Sequence, residues 1–463
     1  MSNSYTPEEP IAAIATALAP SALAIIRISG KNCIELLSKV FSRPKTLNQA
    51  EGNSIVYGWI VDSVNPEEKQ KIDEVLVSVF RAPRSYTGEE MAEISCHGGV
   101  SPVTAIFNLL LKSGFRTALP GEFTFRAFVN GKTDLTKSEA VKEIIDSKTD
   151  TSRSLAAGRL SGNLYNEIQS IKEKIISTIA SIEVELEYPE DEENFSDSFD
   201  STLLEQAKDS LTELSKSWQS QKLYQDGARI ILCGKTNAGK SSLFNALLKE
   251  ERAIVSDIEG TTRDWIESWV SFDGIPARLF DTAGLRITDD VIEQRGVEMT
   301  KDLTQDADII LYLVDSTKSE AQEDIDFINS FKNRIPVIKV LNKIDILENE
   351  KSKDDTLELP VVKISAKTGF GISDLIKEVK NTLVKSTKSE RTQAGLGSER
   401  QKQAVDEALD SVNHALEVSC ADFTMDAVVQ DLEDALSFLS EITGETTPDD
   451  ILGNIFANFC VGK

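Results

Sequence analysis

Several long stretches of the chain carry apolar residues every three or four positions, the spacing that gathers them on one face of a helix. The longest stretch contains Ile168, Ile171, Ile175, Ile179, Ile182 and Leu186. The proline and the carboxylates of Tyr188–Glu193 are expected to end that helix. The same spacing predicts helices at Val103–Leu111, Leu203–Tyr224, Ile372–Leu383, Ala404–Leu416 and Met425–Leu439.

Shorter apolar runs lie between these helices and predict buried strands. They are Leu23–Ile28, Glu74–Phe80, Ala228–Cys233, Ala277–Phe280, Ile335–Leu341 and Pro360–Ile364. Strands and helices are mixed near the N-terminus, helices dominate the next part of the chain, and strands then return. The pattern therefore predicts an α/β protein with more than one domain.

Composition and charge exclude several classes of protein. A chain of 463 residues is expected to hold about three domains. It has neither a long apolar run nor a basic-then-apolar N-terminus, so no membrane span and no secretory signal are predicted. Five scattered cysteines and two histidines argue against a disulfide framework or zinc site and are typical of a cytoplasmic protein. The net charge of −26 is wrong for general nucleic-acid affinity, so an RNA partner would need a local basic patch or another protein.

The run GKTNAGKS at Gly234–Ser241 has the spacing of a phosphate-binding loop. It follows a predicted strand and precedes a predicted helix at Ser242–Leu248. This order points backbone N–H groups and a helix N-terminus at one anion. Lys240 is expected to contact the β- and γ-phosphates, and the Ser241 hydroxyl to bind Mg²⁺. The loop therefore predicts a nucleoside triphosphate site.

Three later motifs each follow a predicted strand. Asp281–Gly284, DTAG, can hold the Mg²⁺ shell and reach the γ-phosphate. In Asn342–Asp345, NKID, a carboxylate can accept hydrogen bonds from guanine N1–H and the 2-amino group, which adenine lacks. Ser365–Lys367, SAK, resembles a second guanine-side loop. Four motifs in this order predict a GTPase domain of doubly wound α/β type, with its ligand at the carboxyl ends of the strands.

The segment Ser256–Asp264 lies where the first switch is expected, and Thr262 is its natural Mg²⁺ ligand. Leu285 occupies the place where Ras-type enzymes have a water-orienting glutamine, so another group must orient water and supply positive charge. The string GTTRD at Gly260–Asp264 resembles the TrmE–Era–septin branch of GTPases. This resemblance implies that Asn237 binds K⁺ together with carbonyls of the first switch. The alternative is that Asn237 only stabilises the loop turn.

These patterns predict three domains: an N-terminal α/β domain at 1–120, a discontinuous helical domain at 121–223 and 387–463, and an inserted GTPase domain at 224–386. Lys385–Arg400 is rich in Ser, Thr, Lys and Gly and is predicted to be a linker. The two helical blocks are expected to pack together. Residues 401–463 hold 13 acidic residues against Lys402 and Lys463, so this segment is a poor candidate for gripping RNA.

The flanks of the GTPase domain carry further strings that sibling GTPases lack. They are IAAIAT (Ile11–Thr16), IIRISG (Ile25–Gly30), SYTGEE (Ser85–Glu90), ISCHGG (Ile94–Gly99), PGEFTFRAFVNGKTDLTKSEA (Pro120–Ala140), EITGE (Glu441–Glu445) and FCVGK (Phe459–Lys463). With them the chain resembles, from end to end, the tRNA-modification GTPase MnmE (TrmE) family of the TrmE–Era–EngA–septin-like superfamily.

This resemblance implies that the N-terminal domain binds folate and forms a homodimer. It also implies a heterotetramer with MnmG (GidA), a partner that carries FAD. The complex would add an aminomethyl or carboxymethylaminomethyl group to C5 of the wobble uridine in certain tRNAs. The one-carbon unit would come from 5-formyl-tetrahydrofolate or methylene-tetrahydrofolate, and GTP hydrolysis would use Mg²⁺ and K⁺.

The resemblance also assigns expected roles to single residues. The expected folate contacts are Arg27, Glu93, Lys132 and Lys463. Glu293 matches a glutamate that orients the attacking water. Cys460 could take part in chemistry or be packed, and burial as a small apolar side chain is favoured.

The motifs and the resemblance together predict the nucleotide and metal ligands. The residues expected at GTP are Asn237, Ala238, Gly239, Lys240, Ser241, Ser242, Ser256, Asp257, Ile258, Glu259, Gly260, Thr261, Thr262, Asp281, Thr282, Ala283, Gly284, Asn342, Lys343, Asp345, Ser365, Ala366 and Lys367. The expected Mg²⁺ ligands are Ser241 and Thr262. The expected K⁺ ligands are Asn237, Ser256, Ile258 and Thr261.

Two other functions remain open at the level of sequence. One is a ribosome-assembly or signalling GTPase without modification chemistry, which leaves PGEFTFRAFVNGK and FCVGK unexplained. The other is a folate-dependent methyl transferase that GTP hydrolysis only regulates.

Overall fold

The computed structural model describes residues 9–62, 70–187, 200–250, 266–281, 307–318, 322–331, 334–346, 359–387, 395–420 and 425–463. The chain divides into two compact units. The first unit comprises Met1–Lys142, Tyr165–Lys172 and Leu432–Lys463, and the second comprises Glu143–Leu164 and Glu173–Asp431. Both units contain a sheet and helices, which confirms the α/β multidomain class. The division into three domains stays a prediction.

The first unit is built on a six-stranded sheet. Its strands are β1 (Ile11–Ile14), β2 (Leu23–Ser29), β3 (Ser54–Asp62), β4 (Gln70–Phe80), β5 (Met91–His97) and β6 (Arg116–Thr117), in the order β3-β4-β5-β2-β1-β6. All neighbours are antiparallel except β1 and β6. The helices α1 (Cys33–Ser38), α2 (Pro44–Gln49) and α3 (Val100–Lys112) pack against the sheet.

Alternation along the strands gives this sheet one buried and one partly open face. Ile26 and Ile28 of β2 and Ile94 of β5 are fully buried in the core shared with α1, α2 and α3. Arg27 and Glu93 alternate with these residues and therefore lie on the opposite face. The sheet thus carries a polar pair on the face that the three helices leave open.

The first unit is completed by helices from distant parts of the chain. They are α4 (Glu122–Val129), most of α5 (Leu135–Asp146) and α14 (Asp449–Ala457). Phe456 of α14 is fully buried, with its ring 5.4 Å from that of Phe125 in α4. The backbone N–H of Phe123 donates to the carbonyl of Lys463, at 3.3 Å. This packing brings the last residues of the chain to the start of α4.

The second unit contains a doubly wound sheet. Its strands are β7 (Ala228–Gly234), β8 (Ile266–Phe272), β9 (Ile275–Asp281), β10 (Ile309–Asp315), β11 (Val337–Asn342) and β12 (Val361–Lys363), in the order β12-β11-β10-β7-β9-β8. Only β8 runs antiparallel to its neighbour. One face shares its core with α9 (Lys240–Glu250) and α11 (Ile372–Thr387), and the other with α10 (Gln322–Phe331). Ligands of such sheets bind at the carboxyl ends of the strands.

Long helices make up most of the remaining structure. They are α6 (Asp150–Leu160), α7 (Asn163–Glu187), α8 (Thr202–Asp226), α12 (Glu399–Cys420) and α13 (Met425–Thr443). In the second unit α8 packs against α12, where Ser215 donates to Asp406 at 2.8 Å. These helices lie before and after the GTPase sheet in the chain, so the expected packing of the two helical blocks is confirmed.

Every strand and helix predicted from the hydrophobic pattern is present, with bounds that differ by a few residues. The linker predicted at Lys385–Arg400 is wrong at both ends. Its first three residues extend α11 to Thr387, and its last two begin α12 at Glu399. Ser398 explains the early start of α12, because its hydroxyl accepts a hydrogen bond from the backbone N–H of Gln401 at 3.3 Å, as a helix cap does.

Candidate functional site

The phosphate-binding loop lies between β7 and α9, and two of its glycines are required by the backbone. Gly234 has φ 135°, and a Cβ there would lie 2.3 Å from the carbonyl oxygen of Leu313. Gly239 has φ 100°, and its Cβ would lie 2.2 Å from the side-chain nitrogen of Asn342. No other residue fits either position without displacing its neighbour. The loop therefore keeps the open backbone surface that a phosphate needs.

Lys240 and Ser241 follow the loop at the start of α9. Lys240 is buried, and its ammonium donates to the carbonyls of Gly234 and Lys235 at 2.6 and 3.0 Å. Burial lowers the pKa of Lys240, against the opposing effect of Asp281. The Ser241 hydroxyl donates to Asp281 at 2.9 Å. A buried cation on backbone carbonyls fits a phosphate, and paired hydroxyl and carboxylate oxygens fit Mg²⁺.

Asn342 connects the phosphate loop to the base-side loops. This buried side chain donates to the carbonyl of Ala238 at 2.9 Å and accepts from the backbone N–H of Ala366 at 3.0 Å. Asp345 lies in a single 3₁₀ turn at Ile344–Ile346, and its side chain is exposed. The predicted guanine loops therefore meet at one edge of the sheet, with the Asp345 carboxylate available to a base.

Asp315, which was not predicted from the sequence, ends β10 directly beside Asn342. Its carboxylate accepts a hydrogen bond from the Lys343 ammonium at 2.6 Å. Burial alone would raise the pKa of Asp315, but the bond from Lys343 and two from Thr317 hold it below its usual value. Lys343 has φ 69°, so this ion pair holds a residue in a strained left-handed conformation. The sequence feature that could have identified Asp315 is a carboxylate at the end of an apolar strand.

Only some of the remaining predicted ligands lie within the described ranges. Asn237 is exposed with φ 64°, next to the buried Ala238; Ser242 and Lys367 are exposed and Ser365 is buried. The predicted residues that lie outside the described ranges are Ser256, Asp257, Ile258, Glu259, Gly260, Thr261, Thr262, Thr282, Ala283, Gly284 and Glu293.

A second polar site lies in the first unit, where Arg27 and Glu93 are cross-strand neighbours on β2 and β5. Arg27 donates to Glu93 Oε1 from Nε at 3.0 Å and from Nη2 at 2.7 Å. Its Nη1 donates to the carbonyl of Gly462 at 2.8 Å. The rings of Tyr86 and Phe123 lie 5.9 and 5.7 Å from the guanidinium. Arg27 is therefore fixed from several directions at once.

Lys463 belongs to the same site. Its pKa is lowered, mainly by burial and to a smaller extent by the positive charge of Arg27, while the negative charge of Glu93 acts in the opposite direction. Glu93 is 22% exposed, and its Oε2 accepts no hydrogen bond from the described residues. A free carboxylate oxygen beside two cations and aromatic rings fits a flat ligand with N–H donors and acidic groups. These features fit a folate.

Lys132 contributes less directly. Its ammonium donates to the carbonyl of Pro83 at 3.0 Å, and its stem lies beside Gly88. In the described contacts it touches the loop that carries Tyr86, rather than Arg27 or Glu93. The structure therefore brings together Arg27, Glu93 and Lys463 and places Lys132 on the neighbouring loop.

A buried ion network beneath this site was not found by sequence reasoning. Arg126 donates to Glu122 at 2.9 Å and to Glu89 at 3.0 Å, and Arg116 donates to Glu122 at 2.6 Å. Burial acts to raise the pKa of Glu122, but these hydrogen bonds and one from the N–H of Leu119 lower it overall. The network joins the start of α4, which carries Phe123, to the loop that carries Tyr86. The sequence feature that could have identified it is the pair of Glu122 and Arg126, four residues apart on a mostly apolar helix.

The expectation that Cys460 is packed is wrong, because its side chain is exposed. Its backbone carbonyl is used instead and accepts hydrogen bonds from the N–H groups of Gly121 and Lys463 at 3.4 and 3.3 Å. The preceding Phe459 takes the buried position. This segment is therefore anchored by its backbone and by Phe459.

Within the described ranges no helix is long and apolar enough to cross a membrane, and no group of three His, Cys, Asp or Glu side chains is arranged to hold a metal. This finding is compatible with a Mg²⁺ site that takes most of its ligands from the nucleotide phosphates and water.

Comparison with known proteins gives matches along the whole chain. A family model described as GTP-binding protein TrmE N-terminus matches residues 10–132, and one described as MnmE helical domain matches residues 135–460. The tRNA modification GTPase MnmE of Treponema denticola is 50% identical over 99% of both chains, and that of Borrelia turicatae is 41% identical over 100% of both. Among solved structures, Era of Aquifex aeolicus with GDP and AlF4⁻ is 25% identical, with a TM-score of 0.28 over 42% of this chain and 70% of Era.

Proposed function

Since the chain belongs to the MnmE family of tRNA modification GTPases, we propose that GTP hydrolysis in its second unit drives chemistry at a folate site in its first. With FAD-dependent MnmG (GidA), as a heterotetramer in the cytoplasm, it adds an aminomethyl or carboxymethylaminomethyl group to C5 of the wobble uridine in certain tRNAs. The observation that carries this proposal is the second polar site at Arg27, which a simple GTPase switch does not need.

The nucleotide half of the proposal rests on the loop geometry. The glycine positions leave room for phosphates, Lys240 supplies their positive charge, and Ser241 with Asp281 offers oxygen ligands for Mg²⁺. Thr262 completes the Mg²⁺ shell and Glu293 orients the attacking water. The exposed Asp345 selects guanine by accepting two of its hydrogen bonds.

We further propose that hydrolysis depends on K⁺ held by Asn237 with Ser256, Ile258 and Thr261. The exposed, left-handed Asn237 supports this assignment, because its side chain is free to meet an ion beside the phosphates. The ion would neutralise charge that develops in the transition state. Turnover should be much faster in KCl than in NaCl at equal ionic strength, and Asn237→Ala should abolish the difference. Equal rates of the unmodified protein in both salts contradict the K⁺ assignment.

The folate half rests on Arg27, Glu93 and Lys463. The Glu93 carboxylate can accept hydrogen bonds from the amino and ring N–H groups of a pterin. Arg27 and Lys463, with Lys132 on the nearby loop, supply positive charge for the glutamate tail and carbonyl groups of the folate. The bound 5-formyl- or methylene-tetrahydrofolate supplies the one-carbon unit.

The homodimer is supported by the open face of the first-unit sheet. Leu23, Ile55, Tyr57 and Leu76 lie on strands β2, β3 and β4 with about half to two thirds of their surface exposed. Clusters of exposed apolar residues are typical of interaction sites. A second copy of this chain is the proposed occupant, since the face continues directly into the Arg27 site. Leu76→Arg should shift the mass measured by light scattering from dimer to monomer, whereas Ile176→Arg, an equally exposed control on α7, should not.

The decisive experiment is tRNA modification in vitro with MnmG, a tetrahydrofolate, GTP and K⁺, each omitted in turn. Formation of the modified uridine should require every component and should fall by about tenfold with Arg27→Ala when the tetrahydrofolate is below saturation. A ribosome-assembly or signalling GTPase is the alternative, as is a folate-dependent methyl transferase with a regulatory GTPase. An unchanged wobble-uridine profile in tRNA from cells lacking this protein favours those alternatives.

A further inference from the structure

The charge of the chain is divided very unevenly. Residues 1–142 contain 15 basic and 15 acidic residues, so the whole net charge of −26 belongs to residues 143–463. A polyanion is repelled by the second part and finds its most favourable surface on the first. Any RNA contact made by this chain should therefore be sought within residues 1–142 of the first unit.

Five acidic side chains of the first unit form ion pairs with arginines. Glu9 pairs with Arg116, Glu89 with Arg126, and Glu90 with Arg81. Glu93 pairs with Arg27, and Glu122 with both Arg116 and Arg126. Because these ion pairs use four arginines as well as five carboxylates, they leave the charge balance almost unchanged, and the local potential depends on where the remaining charges lie.

Five of the remaining cations lie on or beside the helices α1, α2 and α3. We define the basic layer as Lys31, Lys39, Arg43, Lys45 and Lys112, all of which are exposed. The four lysines form no ion pair with any described residue. Arg43 uses one of its five N–H groups on the carbonyl of Tyr57, at 3.2 Å. The three helices themselves contain one acidic residue, Glu35.

Packing makes the basic layer one continuous surface. The side chain of Leu36 in α1 lies 3.9 Å from a Cβ placed on Gly114, just beyond Lys112 at the end of α3. Asn48 of α2 donates to Ser38 of α1 at 3.1 Å, next to Lys39. Exposed amides fill the spaces between the cations: Asn32, Asn48, Gln49 and Asn108.

We propose that the basic layer binds the sugar–phosphate backbone of tRNA. This inference rests on the proposed function and names the surface that holds its RNA substrate. Lysines, arginine and amides are the groups that contact phosphate and sugar, and such contacts position a nucleic acid without reading its bases. The three helices expose no aromatic residue, and Val100 is the only large apolar side chain that they expose, so the layer lacks both a base-stacking platform and the apolar centre typical of a protein interface.

The location of the basic layer separates RNA binding from folate binding. The three helices cover the face of the sheet opposite to Arg27 and Glu93. The layer therefore holds the body of the tRNA and not the reacting uridine. Its contribution to affinity should be the same with and without a bound tetrahydrofolate.

The test compares two full-length variants that each lose three exposed lysines. The first is Lys31→Gln, Lys39→Gln and Lys45→Gln; the matched control is Lys216→Gln, Lys222→Gln and Lys377→Gln in the second unit. The probe is a labelled, unmodified tRNA transcript with a wobble uridine, titrated by fluorescence anisotropy from 50 to 200 mM KCl. The first variant should bind about tenfold more weakly at 50 mM, with a slope of log K against log salt reduced by about 2 to 3. The control should match the unmodified protein.

Equal affinities and slopes for the two variants overturn the proposal, as does the absence of tRNA binding by the unmodified protein at 50 mM KCl. So does a loss of binding to MnmG with tRNA binding intact, because the surface would then be a protein interface. A second variant, Arg43→Gln with Lys112→Gln, should weaken tRNA binding in the same way. Because it changes the other two residues of the layer, it shows whether the loss comes from the whole layer or from a disturbance near the three lysines. If tRNA binding depends on the layer but the omission experiment yields no modified uridine, the RNA surface stands and the proposed function fails.

Discussion

The nucleotide site and the Arg27 site hold their cations in opposite ways. Lys240 donates to two carbonyls of its own loop, so a phosphate can take their place without breaking an ion pair. Arg27 is already paired with Glu93, 66 residues away, and with the carbonyl of Gly462, 435 residues away. The first site is formed by neighbouring residues of one loop and can bind its ligand without rearranging an ion pair. The second exists only when distant parts of the chain have been assembled.

Lys240→Ala should have the largest effect, and that effect should be confined to the nucleotide site. Removing a charge that meets developing negative charge on the phosphates should lower kcat/KM for GTP by about a thousandfold. Binding of 5-formyl-tetrahydrofolate, measured by calorimetry, should stay within twofold. Lys235→Ala is the matched control, since this exposed lysine of the same loop pairs with Glu323 at 2.9 Å. Loss of folate binding in Lys240→Ala would mean that the two sites are not independent.

The two sites also differ in how far the sequence could predict them. Each nucleotide motif follows an apolar strand, so strand ends and spacing were enough to place Lys240, Asn342 and the base-side loops. The pair of Arg27 and Glu93 carried no such local signal, and only the family resemblance identified it. Tyr86 and Phe123 were missed because their relation to Arg27 depends on how α4 and the strands pack.

Asp345→Asn tests the base-side half of the nucleotide site. The amide would present an N–H group to guanine where the carboxylate is proposed to accept two hydrogen bonds, so GTP affinity should fall by about a hundredfold. Affinity for xanthosine triphosphate, which carries an oxygen in place of the 2-amino group, should rise. Competition with a fluorescent guanine nucleotide measures both values. Asp374→Asn on α11 is an exposed control, and an unchanged GTP/XTP ratio in Asp345→Asn would show that another residue selects the base.

Arg27→Ala tests the assembled site. It leaves the Glu93 carboxylate without its cation and frees the Gly462 carbonyl, so affinity for 5-formyl-tetrahydrofolate should fall by about tenfold. GTP turnover should not change. Arg27→Lys keeps the charge but loses the two-pronged contact, and should recover only part of the affinity. Full recovery by lysine would show that charge alone, without the fork geometry, is sufficient at this site.

The smallest expected effect concerns the ion network beneath Arg27. Since the folded-state pKa of Glu122 is lowered, its charge stabilises the structure above the carboxyl pKa of the unfolded chain, near 4.5, and this stability is lost as pH falls through the folded pKa. Glu122→Gln should therefore lower the opening free energy of α4 by about 1 kcal/mol at pH 7. The difference from the unmodified protein should shrink below about pH 4.5.

Hydrogen exchange of peptides from α4, corrected for the intrinsic pH dependence, measures this quantity locally, so the other unit does not confuse the result. Glu35→Gln is the control, because Glu35 is exposed on α1 and its charge has no described partner. A difference for Glu122→Gln that stays constant from pH 7 to pH 4 would mean that the network acts through shape and hydrogen bonding. The assembled site would then depend on packing and hydrogen bonding rather than on charge, and its contrast with the charge-based nucleotide loop would be sharper still.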